Sequence, residues 1–305
     1  MSRCSVLLLI SLALLAIPKP AMAVTITWTG GGGTTSWFLA ANWNLNRLPM
    51  AGDDVLIPDL PGTTSVIYGS AAVTSINSLT CAEVFTFSAG TLTIAVASSL
   101  TNHVTLSGGT LNGAGNVQIS GEFLWTGGTL SGTGTTTIGN TATFEVAAGG
   151  APVLLRVLQN DGYGSIGGPL TITPPGVLRN RSLGFLTLQD VTVGGTGLVD
   201  NQAGATLSKF AFGTGRINCT LTNNGNVEVP FGTLIVNGFT NYAAGTLTGG
   251  NYHIEGTYEY DSGPISTLAA HVILEGTGSQ FLDSGGLNAF ANLGNLTSAG
   301  SLTLD

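Results

Sequence analysis

Residues 221–247 read LTNNGNVEVPFGTLIVNGFTNYAAGTL, and they hold the same unit twice: an apolar residue, a polar residue, an Asn, a Gly-bearing turn and a short alternating apolar run. Those two copies are LTNNG with Asn224 and FTNYAAG with Asn241; looser ones recur upstream as VLQNDG with Asn160, VLRNRS with Asn180 and LVDNQAG with Asn201, giving intervals of 20, 21, 23 and 17 residues in chain order. Helical repeats run longer, about 33 to 47 residues, whereas a unit near twenty suits a coil of two or three short strands. Asn tolerates left-handed backbone angles, and its amide can bond to the copies above and below as a ladder. The phrase GGTLNGAG at 108–115 returns as GGTLSGTG at 127–134, with apolar and polar residues alternating between them. That is strand periodicity. The pattern predicts an all-β fold, a solenoid of about a dozen coils spanning residues 59–305, one coil per rung of ~4.8 Å.

Composition agrees. Gly is 46 of 305 residues and charged residues are 8%, against a usual ~25%, so few helix formers remain, while 43% hydrophobic content supplies a core that a disordered chain lacks. Residues 24–58 differ from the rest: three of the four Trp lie here (Trp28, Trp37, Trp43), ahead of Asp53-Asp54 and the strand-like run Val55-Leu56-Ile57. A solenoid needs an atypical terminal unit over its open end, and this segment is expected to be that N-terminal cap.

Residues 1–23 have the layout of a secretory signal peptide: Arg3, an apolar run of twelve from Val6 to Ile17, and Ala21-Met22-Ala23 as the cleavage site. The run is too short to span a bilayer, and no later stretch is apolar enough to be an integral membrane segment. Cleavage leaves six basic and sixteen acidic side chains, a net charge of −10, which argues against nucleic acid and anionic lipid as partners. Cys81 and Cys219 remain, 138 positions apart. Several coils would separate them in a linear stack, so two buried free thiols are expected. The closing text SAGSLTLD reads as a strand, and an uncapped last coil invites pairing with a further coil or another molecule.

The text from Leu221 through GTYEYD, with STLAAHVILEGTGSQF and NLGNLTSAGSLTL after it and WTGGGGTTSWFLAANWNLNRLPMAGDDVLIP before it, resembles the strand repeats of large secreted bacterial proteins, in the style of autotransporter passengers and filamentous haemagglutinins. The resemblance covers nearly all of the chain after residue 23. It implies a right-handed parallel β-helix, exported from a bacterium and often surface-displayed or adhesive, and it transfers no catalytic residue; glycans or a host or matrix surface are the partners expected of such a rod. No translocator barrel, sortase-type motif or hydrophobic sorting segment accompanies it here.

Signals for chemistry are sparse. Gly162, Gly164 and Gly167 match a dinucleotide fingerprint, but the helix it requires cannot form from GPLTITPPG. Asp53 and Asp54, with Asn42 and Asp59 nearby, are oxygen donors suited to calcium, or else Asp residues capping a turn. Glu255, Glu259 and Asp261, with His253 beside them, are the densest acidic group; as a polysaccharide lyase or hydrolase site they would need to face one cleft, and otherwise they form a solvated face. Arg179 and Arg181 lie some seventy residues away. His103, His253 and His271 stand apart in sequence with no metal-ligand spacing. Trp125, Tyr242, Tyr252, Tyr258 and Tyr260 either form a sugar-stacking face or stack on themselves from coil to coil. Thr135-Thr136-Thr137 suggests an ice-binding face only if Thr recurs in register. No cofactor is expected, and the reading is of a structural or adhesive protein without an evident catalytic site, the carbohydrate-active enzyme being the alternative.

Overall fold

The computed structural model describes residues 23–62 and 65–305; the stretch read as a signal peptide lies, up to residue 22, outside them. Strands that alternate inward and outward pair in parallel and stack as a β-solenoid of about 11 turns. Among the described residues the one helical element is a single 3-10 turn at Ala40–Asn42, and no helix is long and apolar enough to cross a membrane. Each regular coil gives one strand to each of three faces. Val157–Asn160, Tyr163–Ile166 and Leu170–Ile172 make one coil; Val177–Asn180, Phe185–Leu188 and Thr192–Gly195 lie directly on it. The first face is a ten-stranded sheet from Val24–Thr27 to Thr220–Asn223, and the second and third run together as a 23-stranded sheet. Thr246–Ile254 also folds back on a short antiparallel neighbour, Tyr242–Ala243.

The lumen is the core. On the first face Leu158, Leu178, Val199 and Leu221 stack inward, each buried, while Gln159, Arg179, Asp200 and Thr222 face outward in the neighbouring column. One gap of about 20 Å³, walled by residues such as Phe85, Phe87, Leu106 and Phe123, has room for a single water, but its wholly apolar lining keeps such a gap dry. The lumen is packed rather than a channel.

One inward column changes character half way. Ile57, Cys81, Leu100, Ile119 and Ile138 are aliphatic or thiol, and the next four rungs are Asn160, Asn180, Asn201 and Asn223. All four asparagines are fully buried. The first three amide nitrogens donate to the amide oxygen above, Asn160 to Asn180 at 2.8 Å, Asn180 to Asn201 at 2.9 Å and Asn201 to Asn223 at 2.7 Å, while the Asn223 amide nitrogen at the end of the run has no partner among the described residues. The three donating nitrogens also reach main-chain carbonyls of Phe185, Thr206 and Asn226. The expected ladder therefore exists with two corrections. Its fourth member is Asn223, not Asn224, whose main-chain N–H bonds Asn201 O in the turn. The ladder asparagines also close strands rather than occupying left-handed turns, since the positive-φ non-glycine residues are Asn46, Leu183 and Ala244.

The glycine phrases repeat because each turn rests on the carbonyls of the turn below. Gly113 has φ +115°, and a methyl on it would come within 2.0 Å of Ile94 O; Gly132, one coil on, meets Gly113 O at 2.2 Å in the same way. Backbone cannot yield there as a side chain could. Gly113→Ala is expected to lower stability by ~1–3 kcal/mol or more, read as a lower denaturation midpoint. Gly194 lies in a strand with open space at its Cβ position, so Gly194→Ala is the matched control and should be neutral or slightly stabilising.

At the N-terminal end, Val24–Thr27 and Asp53–Ile57 are rungs of the first face. Between them the chain loops out and lays three fully buried indoles over the first coil. Trp43 packs edge-on between Trp28 at 5.1 Å and Trp37 at 4.9 Å, and Trp37 rests on Tyr68 and Phe85. Towards the C-terminal end the lumen fills with Phe239, Tyr252, Tyr258 and Phe281 packed edge to face. Phe290 closes on Phe281 at 5.2 Å. The last strand, Ser301–Leu304, pairs with His271–Leu274.

Candidate functional site

The groups that set this rod apart from a uniform solenoid gather on the corner between its second and third faces. There the residues following each second-face strand stack into a column: Gln189, Phe210, Pro230, Glu255 and Glu275, fixed by the pairs that precede them, Leu188 with Lys209, Ser208 with Glu228, Val229 with Ile254 and Ile254 with Leu274. Two features lie along it.

The first is an aromatic platform. Phe212 is 85% exposed and Phe210 59%. Phe231, one coil further, stacks on Phe212 at 4.5 Å and leans on Phe210 at 5.2 Å. The loop carrying Phe210 and Phe212 is pinned from beneath by Lys209, the single lysine after residue 19. Its side chain is fully buried, and Nζ donates to Asp190 Oδ1 at 2.7 Å and to Ala211 O at 2.6 Å. Asp190 also accepts the Gly213 N–H, and the hydrogen bond from Lys209 holds its carboxyl below the ordinary range. Removing Asp190, itself 45% exposed, is the costly change, because it leaves the buried Lys209 charge uncompensated.

The second is a mixed donor group. His253 points outward from Thr246–Ile254, beside Glu228 on the coil below, and its Nε2 lies 2.7 Å from Glu275 Oε2. His253, Glu255 and Glu275 each bring a ligand-type atom to within 4.8 Å of the other two. From residue 217 to residue 305 the chain holds seven carboxylates and no Lys or Arg, so this end of the rod is acidic without a permanent counter-charge.

The residues singled out by sequence take varied places. Glu255 belongs to the donor group. Glu259 is on a different strand, Thr257–Tyr260 on the third face, opposite Ile235 and Leu282, because the chain turns the corner at Glu255-Gly256. Asp261 is in the next turn, accepting the main-chain N–H of Gly238 at 2.7 Å. Arg179 and Arg181 sit on and just past the first face and pair with Asp200 and Asp161. His253, isolated in sequence, acquires its partner Glu275 only through the stacking of coils, and His103 gains Glu122 in the same way.

Asp53 and Asp54 are engaged by protein. Arg47 grips both oxygens of Asp53, at 2.5 and 2.8 Å, and the Met50 N–H adds a third bond. Asp54 Oδ1 accepts from Asn77 and Ser78. The Arg47 hydrogen bond holds the Asp53 carboxyl below its usual value. A depressed folded-state value means that the stabilisation is present above the unfolded value, near pH 4, and lost as the pH falls through the folded one. Asp53→Asn should therefore lower stability at neutral pH and flatten its fall below about pH 4, measured as denaturation midpoint against pH.

The expected tyrosine platform is not at the surface. Trp125, Tyr252, Tyr258 and Tyr260 are each no more than 1% exposed and line the lumen, where burial raises the three phenol pKa values; Tyr242, partly buried, leans on Tyr260. Phe210 and Phe212 take the exposed role, with the half-buried Phe231 against them, and the one clue to them in sequence is their place beside turn residues, Gly213 and Pro230-Phe231-Gly232. Thr136 points into the lumen between Val117 and Leu158, which removes the triple-Thr text as a surface array. Cys81 and Cys219 are free and buried, as expected; burial pushes their thiols up to about 12 and about 11. Neither should react with a thiol-specific disulfide reagent near neutral pH until the protein is unfolded.

The chain matches no protein-family model, no curated protein and no solved structure.

Proposed function

We propose that the protein is an exported, non-catalytic β-solenoid whose work is structural or adhesive, a stiff rod that presents polar faces and one aromatic platform. The observation that carries this reading is the platform itself: two exposed phenyl rings, Phe210 and Phe212, on a loop held by the buried Lys209 and its partner Asp190, with the half-buried Phe231 of the next coil packed against both. Exposed clustered aromatics mark interaction sites. Ring faces carry the negative lobe of the aromatic quadrupole and suit the C–H face of a neutral sugar, and the net charge of −10 after residue 23 disfavours acidic polymers. Export rests on the Arg3, Val6–Ile17 and Ala21–Ala23 layout, and attachment to a bacterial surface on the resemblance to passenger and haemagglutinin repeats.

Binding of the chain from Val24 onward to a glycan array and a host-matrix panel, with the same glycans assayed for cleavage, tests the proposal. Binding without turnover, weakened at least tenfold by Phe212→Ser with an unchanged denaturation midpoint, is the expected result. Turnover abolished by Glu255→Gln or Glu259→Gln would replace it with the carbohydrate-active enzyme.

A further inference from the structure

We infer that His253, Glu255 and Glu275 form a binding site for a divalent ion of the zinc class, clamping the coil of Thr246–Ile254 to that of Thr267–Leu274. The inference is independent of the adhesive reading, since it concerns a different group of side chains and its test does not involve glycans.

The geometry comes from the register. Ile254 pairs with Leu274, so the residues after them, Glu255 and Glu275, are stacked neighbours about one rung apart, ~4.8 Å. His253, one residue before Ile254, reaches across to Glu275 at 2.7 Å. The three donor atoms lie within 4.8 Å of one another, and ligands held ~2.0–2.2 Å from one ion stand up to about 4 Å apart. Modest rotation of three side chains on a solvent-facing corner closes that difference. The backbone need not move.

Electrostatics point the same way. Like charges set opposite each other on adjacent strands are destabilising, and here Glu255 faces Glu275 while Glu228 borders His253 on the other side. Several carboxylates elsewhere have cationic partners, Asp53 with Arg47, Asp190 with Lys209 and Asp200 with Arg179, but no Lys or Arg exists between residues 217 and 305. A bound cation would supply the missing counter-charge. An imidazole nitrogen among the donors selects zinc and its neighbours over calcium or magnesium, which favour all-oxygen sets. Three protein ligands on an exposed corner leave a fourth position for water or for a group from another molecule.

The test uses the chain from Val24 to Asp305, stripped with a chelator and titrated with Zn²⁺ by calorimetry, with Co²⁺ as a spectroscopic probe. Expected are saturation at one equivalent, a raised denaturation midpoint, and a visible Co²⁺ band of tetrahedral type. His253→Ala and Glu275→Gln should each weaken binding at least ~10-fold and abolish the Co²⁺ band, with the metal-free midpoint unchanged or, for Glu275→Gln, raised by relief of repulsion. Glu259→Gln, on the third face, should bind as the parent does. No saturable Zn²⁺ uptake, uptake unaffected by His253→Ala, or a midpoint raised by Ca²⁺ but not by Zn²⁺ would each overturn the assignment.

Discussion

Trp37→Ala is expected to cost about 3–5 kcal/mol, the range for truncating a large buried aromatic, and to change the shape of unfolding as well as its midpoint. Trp37 is fully buried and packs edge-on against Trp43, Tyr68 and Phe85 at 4.9, 5.5 and 6.1 Å. Such contacts are worth ~0.5–1.5 kcal/mol each beyond the area they bury. Its own indole N–H has no partner, so the substitution removes packing without orphaning an acceptor, and the Trp43 indole keeps its bond to the Trp37 main-chain oxygen. Solenoid coils contact only their neighbours. Loss of the lid should therefore let the solenoid fray from its N-terminal coils, seen as early amide exchange around Val66 and Tyr68 and as a broadened denaturant transition. A sharp transition at the parent midpoint would show that the indole lid does not hold the end of the rod.

Asn180→Ala should be comparably severe. The side chain donates to Asn201 at 2.9 Å and to Thr206 O at 2.8 Å and accepts from Asn160 at 2.8 Å. Each such bond contributes ~1 kcal/mol net, but stranding a buried partner costs ~1–3 kcal/mol. A loss of about 3–4 kcal/mol is the expectation, with the small void adding to it. Asn180→Asp should be no better, because it turns an oxygen toward two acceptors and buries a charge. Replacing Asn160, Asn180, Asn201 and Asn223 together by Ile, the residue at 138 in the same column, should cost less per substitution than Asn180→Ala alone, because both members of each amide pair leave together. A cost per substitution above that of the single change would show that the bonds to Phe185, Thr206 and Asn226 carbonyls, rather than the ladder, hold the column. The check is a denaturant series across the three variants.

The places where sequence and structure part are instructive. LTNN offers two adjacent asparagines, and spacing alone favours neither; the pairing of Asn201 with Asn223 decides, because one inward position exists per rung. HIEGTYEY spaces Glu255 and Glu259 as though on one face of a strand. A corner at Glu255-Gly256 resets the alternation and puts Glu259 on the third face. The tyrosines of the same stretch and the phenylalanines of KFAFGTG look equally amphipathic as text, yet the corner buries Tyr258 and Tyr260 and leaves Phe210 and Phe212 in water.

The amino-acid sequence alone determined the fold class, the coil length near twenty residues, the tryptophan-rich start and the burial of both cysteines, since these follow from local periodicity and composition. Only the tertiary structure decided which residues meet across coils: Asn160 with Asn180, Lys209 with Asp190, His253 with Glu275. Period-two alternation holds within a strand and is lost at every corner, and register offsets of 18 to 30 residues between parallel-paired strands bring together positions that no fixed spacing relates. Contact between coils is a property of register, and register is set by the packed lumen and the turns rather than by the residues that register brings together.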